Sequence, residues 1–263
     1  VSCELSASDR GLLYGDGIFT TICFKGGALQ LWPYHLERLQ QGCRRLSIPE
    51  PGEEELLAQL EPFLSAGEDR VVKIIITRGT GGRGYSMPSE ASPSVLISEH
   101  PLPGHYSQWR QHGIRLGVCR QHLGHQPMLA GLKTLNRLEQ VLLKKELDDS
   151  GFDEALVLDL DAKVTEAVSA NIFWRHQGQI YTPNLELSGV CGVMRRWVIE
   201  LCEKYGRKVR EVRACVEELA AADEIWLTNA LLGIAPVREF TKRSYVDWSV
   251  SRWLQEQPCV ALT

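Results

Sequence analysis

The sequence predicts an α+β protein of two domains, each built on a sheet. Stretches rich in β-branched and aromatic residues are interleaved with stretches of helical hydrophobic period along the whole chain. At 263 residues and 44% hydrophobic, the chain can bury one large core or two modest ones. The segment 100–113, with two prolines, two glycines and several polar residues, is the best suited to join two domains. The expected organisation is a small N-terminal domain over 1–104, a linker at 105–113 and a larger, mixed β domain with flanking helices over 114–263.

The elements follow in order. Ile18 to Phe24 reads as a strand, Lys25-Gly26-Gly27 as a turn and Ala28 to Leu31 as the returning strand. Trp32, Leu36, Leu39, Cys43 and Leu46 recur at alternating four and three spacing, which predicts a helix over Pro33 to Leu46 with proline in its first turn. A second helix is expected from about Gly52 to Leu64, and strands at Val71 to Thr77 and Ser94 to Ser98. Beyond the linker come a strand at Ile114 to Cys119 and a helix at Thr134 to Asp149, with Leu135, Leu138 and Leu142 on one face. Strands follow at Glu154 to Leu160, Asn171 to Arg175 and Gln179 to Tyr181, then a helix at Gly192 to Tyr205. The last elements expected are a strand near Lys208 to Val212, a short helix near 215–221 and a strand at Glu224 to Thr228.

A formal charge of −4 and the lack of a basic run with interleaved aromatics argue against nucleic acid or an anionic membrane as partner. The sequence shows no apolar run of membrane-spanning length and no signal-peptide pattern. Eight cysteines, at 3, 23, 43, 119, 191, 202, 215 and 259, form no CxxC and read as small core residues of a reducing compartment. The seven histidines are dispersed; His122 and His125 lack a ligand cluster in the sequence, and no metal site is expected. The protein is expected to be soluble and cytoplasmic.

Gly79-Thr-Gly-Gly-Arg-Gly84 matches GxGxxG directly after a strong strand. A dinucleotide site needs a helix to begin there, and Tyr85-Ser-Met-Pro-Ser-Glu-Ala-Ser-Pro93 cannot supply one. The loop is read instead as a flexible backbone presenting Arg78 and Arg83, whose default role is that of solvated loop arginines.

Lys133 lies among apolar residues in Leu129-Ala-Gly-Leu-Lys-Thr-Leu135. An ammonium in such a place either reaches water or loses its proton more readily, and a deprotonated lysine can form a Schiff base with an aldehyde. Read alone, Lys133 is first of all a surface lysine ahead of a helix, as Lys144 and Lys145 are along it.

Four blocks settle the reading: Tyr14-Gly-Asp-Gly17, His35-Leu-Glu-Arg-Leu39, Glu166-Ala-Val-Ser-Ala-Asn-Ile-Phe173 and Gly189-Val-Cys-Gly-Val-Met-Arg195. In this order, with a lysine at the interval of Lys133, they resemble the fold-type IV pyridoxal-phosphate enzymes. That family includes branched-chain and D-amino-acid aminotransferases and aminodeoxychorismate lyases. The resemblance runs from Asp9 to Leu231. It implies pyridoxal 5'-phosphate as cofactor, Lys133 as the Schiff-base lysine and proton-transfer base, and Glu166 as the carboxylate on the pyridine nitrogen. It further implies Arg38 as a phosphate clamp, Val193 and Met194 as backbone N–H donors at a helix start, and Ser169 and Ala230 as neighbours of the phosphate or ring.

On the substrate side, Phe19-Thr20-Thr21, the loop Thr77 to Ser86 and the stretch Gly131 to Gln140 resemble the lyase members. The alternative within the family is a D-amino-acid or branched-chain aminotransferase. Thr21 is the candidate hydroxyl assisting the leaving group or orienting a proton. Arg83 is the candidate partner for a carboxylate of a dianionic small-molecule substrate, with Tyr14 and Tyr85 lining the same place. Arg137 is left unassigned between substrate and helix surface. The resemblance also implies a homodimer.

Overall fold

The computed structural model describes residues 5–64, 68–259 and 261–262; Cys3 lies outside them. The chain divides into two compact units. Unit 1 is formed within Val1–Leu102, Leu132–Asn136 and Cys259–Thr263, and unit 2 within Pro103–Gly131 and Arg137–Pro258. The five residues around Lys133 therefore fold with unit 1, although the chain on both sides of them belongs to unit 2.

Unit 1 begins with a short helix α1 (Arg10–Tyr14), then β1 (Gly17–Lys25), β2 (Ala28–Gln30), α2 (Trp32–Leu46), α3 (Glu53–Leu60) with a 3-10 turn at Glu61–Phe63, β3 (Arg70–Thr77) and β4 (Ser94–Pro101). Among the described residues its sheet has five strands, because the late segment Ala261–Leu262 adds itself beside β2. β1 pairs antiparallel with β3 from Gly17, opposite Thr77, to Phe24, opposite Arg70. One face of β1 sends Ile18, Ile22 and Phe24 into a core with Trp32, Leu39, Cys43, Leu56, Leu60, Val72, Ile74 and Ile76. α2 lies close against that face: a Cβ on Gly42 would stand 2.8 Å from the Ile18 side chain.

Unit 2 holds α4 (Tyr106–His112), β5 (Ile114–Val118), α5 (Leu138–Ser150), β6 (Glu154–Leu158), β7 (Val164–Ala167), β8 (Asn171–His176), β9 (Gln179–Pro183) and α6 (Val193–Lys204). It continues with β10 (Val209–Val212), α7 (Val216–Ala220), β11 (Glu224–Asn229), β12 (Gly233–Phe240), β13 (Arg243–Ser244) and α8 (Ser249–Gln255). The described strands form one mixed sheet in the order β10-β9-β8-β11-β12-β5-β6-β7, with β13 beside β12. Its core runs from Ile114, Leu116 and Leu156 through Ile172 and Trp174 to Ile225, Leu227, Val237 and Phe240.

The helix expected at 134–149 starts four residues later, at Leu138. The reason is pairing: Phe19 N–H donates to the Lys133 carbonyl (2.9 Å) and Leu135 N–H to that of Gly17 (3.0 Å), so 133–135 are spent on the edge of β1. Leu138 and Leu142 share one face of the helix as expected, but that face is the outward one. Leu138 and Leu142 are 79% and 53% exposed, and Leu143 and Leu147 turn inward instead. Within the stretch 105–113, expected as a linker, the structure forms α4. α1, β12 and α8 were not read from the sequence. Cys191 is exposed rather than a core residue. No helix among the described residues is long and apolar enough to cross a membrane.

α8 depends on Glu224, which is fully buried and accepts hydrogen bonds from Val250 N–H (3.0 Å), Ser251 N–H (2.7 Å) and the Ser251 hydroxyl (2.8 Å). Glu224→Ala removes an acceptor that three buried donors share. We expect a loss of about 3 kcal/mol in urea unfolding, seen as a lowered midpoint at unchanged slope.

Candidate active site

In unit 1 the open edge at the start of β1 receives the Lys133 segment. Thr134 bridges Ile18 there, Asn136 donates to the Gly15 carbonyl (3.3 Å), and Gly17 lies against Leu135 and the Ile76 carbonyl. Gly15 ends α1 at φ +67°, and a Cβ there would stand 2.4 Å from the Asn136 amide oxygen. The two glycines of Tyr14-Gly-Asp-Gly17 are thus the residues that let the lysine strand come close.

The Lys133 ammonium stands over the Phe19 ring, 4.6 Å from its centre, and Lys73 stands 4.9 Å from the same ring. Side chains alternate along a strand, so Thr21 shares the face of Phe19 and Lys133, whereas Thr20 faces the core. Thr20 is fully buried, with its hydroxyl 2.6 Å from His35 Nδ1. Between two adjacent threonines, the strand puts Thr21 on the lysine's side.

His35 is fully buried one helical turn before Arg38. Burial holds its ring well below the usual imidazole range, and the charges of Arg38 and Lys133 add to that.

Asp16 binds two buried arginines. It accepts from Arg10 Nε (2.9 Å) and, in bidentate fashion, from Arg78 Nε (2.7 Å) and Nη2 (3.0 Å). Burial works against the Asp16 carboxylate, but the hydrogen bonds and charges of Arg78 and Arg10 hold it below the usual range. Arg78, expected as a loop arginine, is 2% exposed and closes the end of α2 on the Leu46 and Ser47 carbonyls. No helix follows the glycine-rich loop. Arg83 and Tyr85 are exposed on it, and the Tyr85 ring lies 5.6 Å from that of Tyr14.

In unit 2, Glu166 on β7 is 6% exposed and accepts the Val190 N–H (2.9 Å). Gly189, at φ +86°, passes so near that a Cβ would lie 3.3 Å from a Glu166 oxygen. Burial lowers the pKa of Arg137, and the opposing charges of Glu166 and Glu139 support its cationic form. Asn171 fixes the loop that follows, donating to the Val190 carbonyl (2.8 Å) and accepting from Gly192 N–H (3.1 Å). A Cβ on Gly192 would stand 2.0 Å from that Asn171 oxygen. α6 then starts without a side-chain cap, so the first-turn amides of Val193 and Met194 are open to an anion.

Ser169 is exposed, and its N–H (3.2 Å) and hydroxyl (2.5 Å) both donate to buried Glu154. Burial pushes Glu154 above the usual carboxylate range, against the hydrogen bonds from Ser169 and Ala155. Asn229 donates to the Ser169 carbonyl (3.1 Å) and turns the chain at Ala230 by accepting from Leu231 and Leu232 N–H.

The sequence pattern of the class IV amino-transferases matches residues 17–240. The chain belongs to that family. It is similar to an aminodeoxychorismate lyase of Vibrio harveyi, 44% identical over 229 residues that cover 87% of this chain and 84% of the relative. A D-alanine aminotransferase of Bacillus licheniformis is 26% identical over 89% of this chain and 82% of its own length. Among solved structures, a 4-amino-4-deoxychorismate lyase of Pseudomonas aeruginosa superposes with a TM-score of 0.90 at 43% identity, covering 97% of this chain and 94% of its own.

Of the residues singled out from the sequence, Lys133 and Thr21 share one strand face, Tyr14 and Tyr85 are ring neighbours, and Ser169 and Ala230 are joined through Asn229. Sequence reading missed Lys73, His35, Asn171 and Arg10. Lys73, the lone charge inside Val71-Val-Lys-Ile-Ile-Ile76, carried a signal; His35 and Asn171 lay within recognised blocks without a stated role, and Arg10 lay just ahead of the first block.

The His35 ring is expected to stay neutral, in ring-nitrogen NMR spectra, at pH values where an ordinary histidine is protonated. Its folded pKa is depressed, so the unfolded chain binds more protons below about pH 6.5. This contribution to stability is therefore complete above that pH and declines as the pH falls below it.

Proposed function

We propose that the protein is a pyridoxal-phosphate-dependent 4-amino-4-deoxychorismate lyase, forming 4-aminobenzoate and pyruvate on the route to folate. The observation that carries this reading is the strand face shared by Lys133, Phe19 and Thr21, in a chain 44% identical to an aminodeoxychorismate lyase.

The residues fit the cofactor. The uncapped amides of Val193 and Met194 at the start of α6 suit a phosphate, as does the guanidinium of Arg38. Glu166, held by a backbone N–H, suits a protonated pyridine nitrogen. Ser169 and Ala230 are the remaining candidates for contact with the group. When bound, pyridoxal phosphate supplies an aldehyde for the substrate amine and a ring that accepts electrons.

Lys133 takes the proton from the carbon bearing the amino nitrogen. Glu166 keeps a proton on the pyridine nitrogen. Thr21 orients the enolpyruvyl ether oxygen as it departs, and the substrate ring becomes aromatic. The proton removed by Lys133 balances the one that the enolpyruvate gains in becoming pyruvate. Arg83 pairs with a substrate carboxylate, and Tyr14 and Tyr85 line its approach.

An apolar face in unit 2 supports a homodimer. Leu138, Val141 and Leu142 stand 79%, 61% and 53% exposed along one side of α5, and Met128 is 83% exposed. Light scattering on the purified protein is expected to give twice the chain mass. The free cysteines among the described residues suit a reducing compartment, which favours the cytoplasm.

The deciding assay gives the cofactor-loaded protein 4-amino-4-deoxychorismate and follows both products. Equal release of 4-aminobenzoate and pyruvate, abolished in Lys133→Ala, is expected. Stable amino transfer from an ordinary amino acid to a keto acid, without release of either product, would make it an aminotransferase. Glu166→Gln is expected to retain cofactor and lose at least tenfold in kcat, since a neutral amide no longer holds the pyridine proton.

A further inference from the structure

Arg10 is 4% exposed, and its guanidinium is divided between a carboxylate and a loop. Nε donates to Asp16 (2.9 Å), while Nη1 faces the carbonyls of Gly81 (3.3 Å), Gly84 (3.2 Å) and Ser86 (3.2 Å). The Arg10 backbone N–H holds a fourth loop carbonyl, that of Gly79, at 2.9 Å. These carbonyls can converge because Gly79, Gly81, Gly82 and Gly84 all adopt positive φ, from +58° to +110°.

The loop has little apolar core of its own to hold this shape. Tyr85 is 88% and Met87 58% exposed, and Arg83 is exposed at the tip. A segment with so few buried contacts takes its order from its polar anchors. The other side of the same guanidinium lies over the Tyr14 ring, 4.9 Å from its centre, and Tyr14 is the ring neighbour of Tyr85.

We propose that Arg10 is the positioning residue of the substrate loop: by gathering the loop carbonyls on one guanidinium, it sets where Arg83, Tyr85 and Tyr14 meet a substrate carboxylate. The inference rests on the lyase reading for the identity of that substrate. Arg10 acts through the loop and does not itself touch the reacting atoms. A lysine cannot replace it, since a single ammonium cannot pair with Asp16 and also span the carbonyl group in one plane.

The test uses the cofactor-loaded protein and two variants. Arg10→Lys keeps the charge and loses the planar fork. Gly82→Ala leaves the Arg10–Asp16 pair alone but brings a Cβ to 2.2 Å from the Ser86 carbonyl and 3.1 Å from Arg10 Nη1. Both are expected to speed trypsin cleavage after Arg83 about tenfold, located by mass spectrometry, while the absorbance of Lys133-bound cofactor persists. With 4-amino-4-deoxychorismate, KM should rise about tenfold and kcat stay within about twofold.

Unchanged cleavage and unchanged KM in both variants would overturn the proposal. So would a fall in kcat at constant KM, which is the mark of a general structural role. If the parent protein releases no 4-aminobenzoate, the lyase reading fails by itself, and the trypsin comparison still decides whether Arg10 holds the loop. If Arg10→Lys does not fold, Gly82→Ala carries both readouts.

Discussion

The half-open edge of β1 is the constraint on which the rest of unit 1 depends. β3 occupies one side of β1 from Gly17 to Phe24, but β2 pairs with it only at Phe24 and Lys25. The backbone groups at Gly17 and Phe19 would otherwise lack partners, and unsatisfied backbone polar groups are costly inside a protein. The segment 132–136 supplies those partners. In doing so it gives up helix, brings Lys133 onto the Phe19 ring and fixes the register that puts Thr21 on the same face.

That docking explains why positions 15 and 17 are glycines. Gly15 and Gly17 leave no side chain in the path of Asn136 and Leu135. Asp16, between them, draws Arg10 and Arg78 inward. Each arginine then spends its remaining N–H groups on carbonyls: Arg78 on the end of α2, Arg10 on the glycine-rich loop. One carboxylate thereby ties a helix end and the glycine-rich loop to the start of the strand that carries Thr21.

Unit 2 follows a similar economy around Asn171 and Glu166. Asn171 uses its carbonyl and its amide to hold both ends of the turn into α6, and Glu166 uses a backbone N–H of the same turn. The turn needs glycine at 189, where φ is +86° and a Cβ would meet Thr165 and Leu185, and at 192, where it would meet the Asn171 oxygen. The result is a buried carboxylate and an uncapped helix start presented by a single short loop. A similar fixing links Ser169 to the Ala230 turn through Asn229.

The sequence by itself determined the fold class and most of the strands, and it named Lys133, Glu166 and Arg38 as candidates, because hydrophobic period and motif order are local properties of the chain. It also disposed of the GxGxxG match, since Pro88 and Pro93 speak against a helix after the loop. Tertiary structure alone decided the start of α5, the inward turn of Leu143 and Leu147, and the opposite strand faces of Thr20 and Thr21. It alone placed Arg10 between Asp16 and the loop carbonyls. Those outcomes depend on which backbone groups lack a partner and which oxygens converge on a charge. Such pairings join residues tens of positions apart, as between Phe19 and Lys133 or Arg10 and Gly84, and leave no period in the sequence from which to read them.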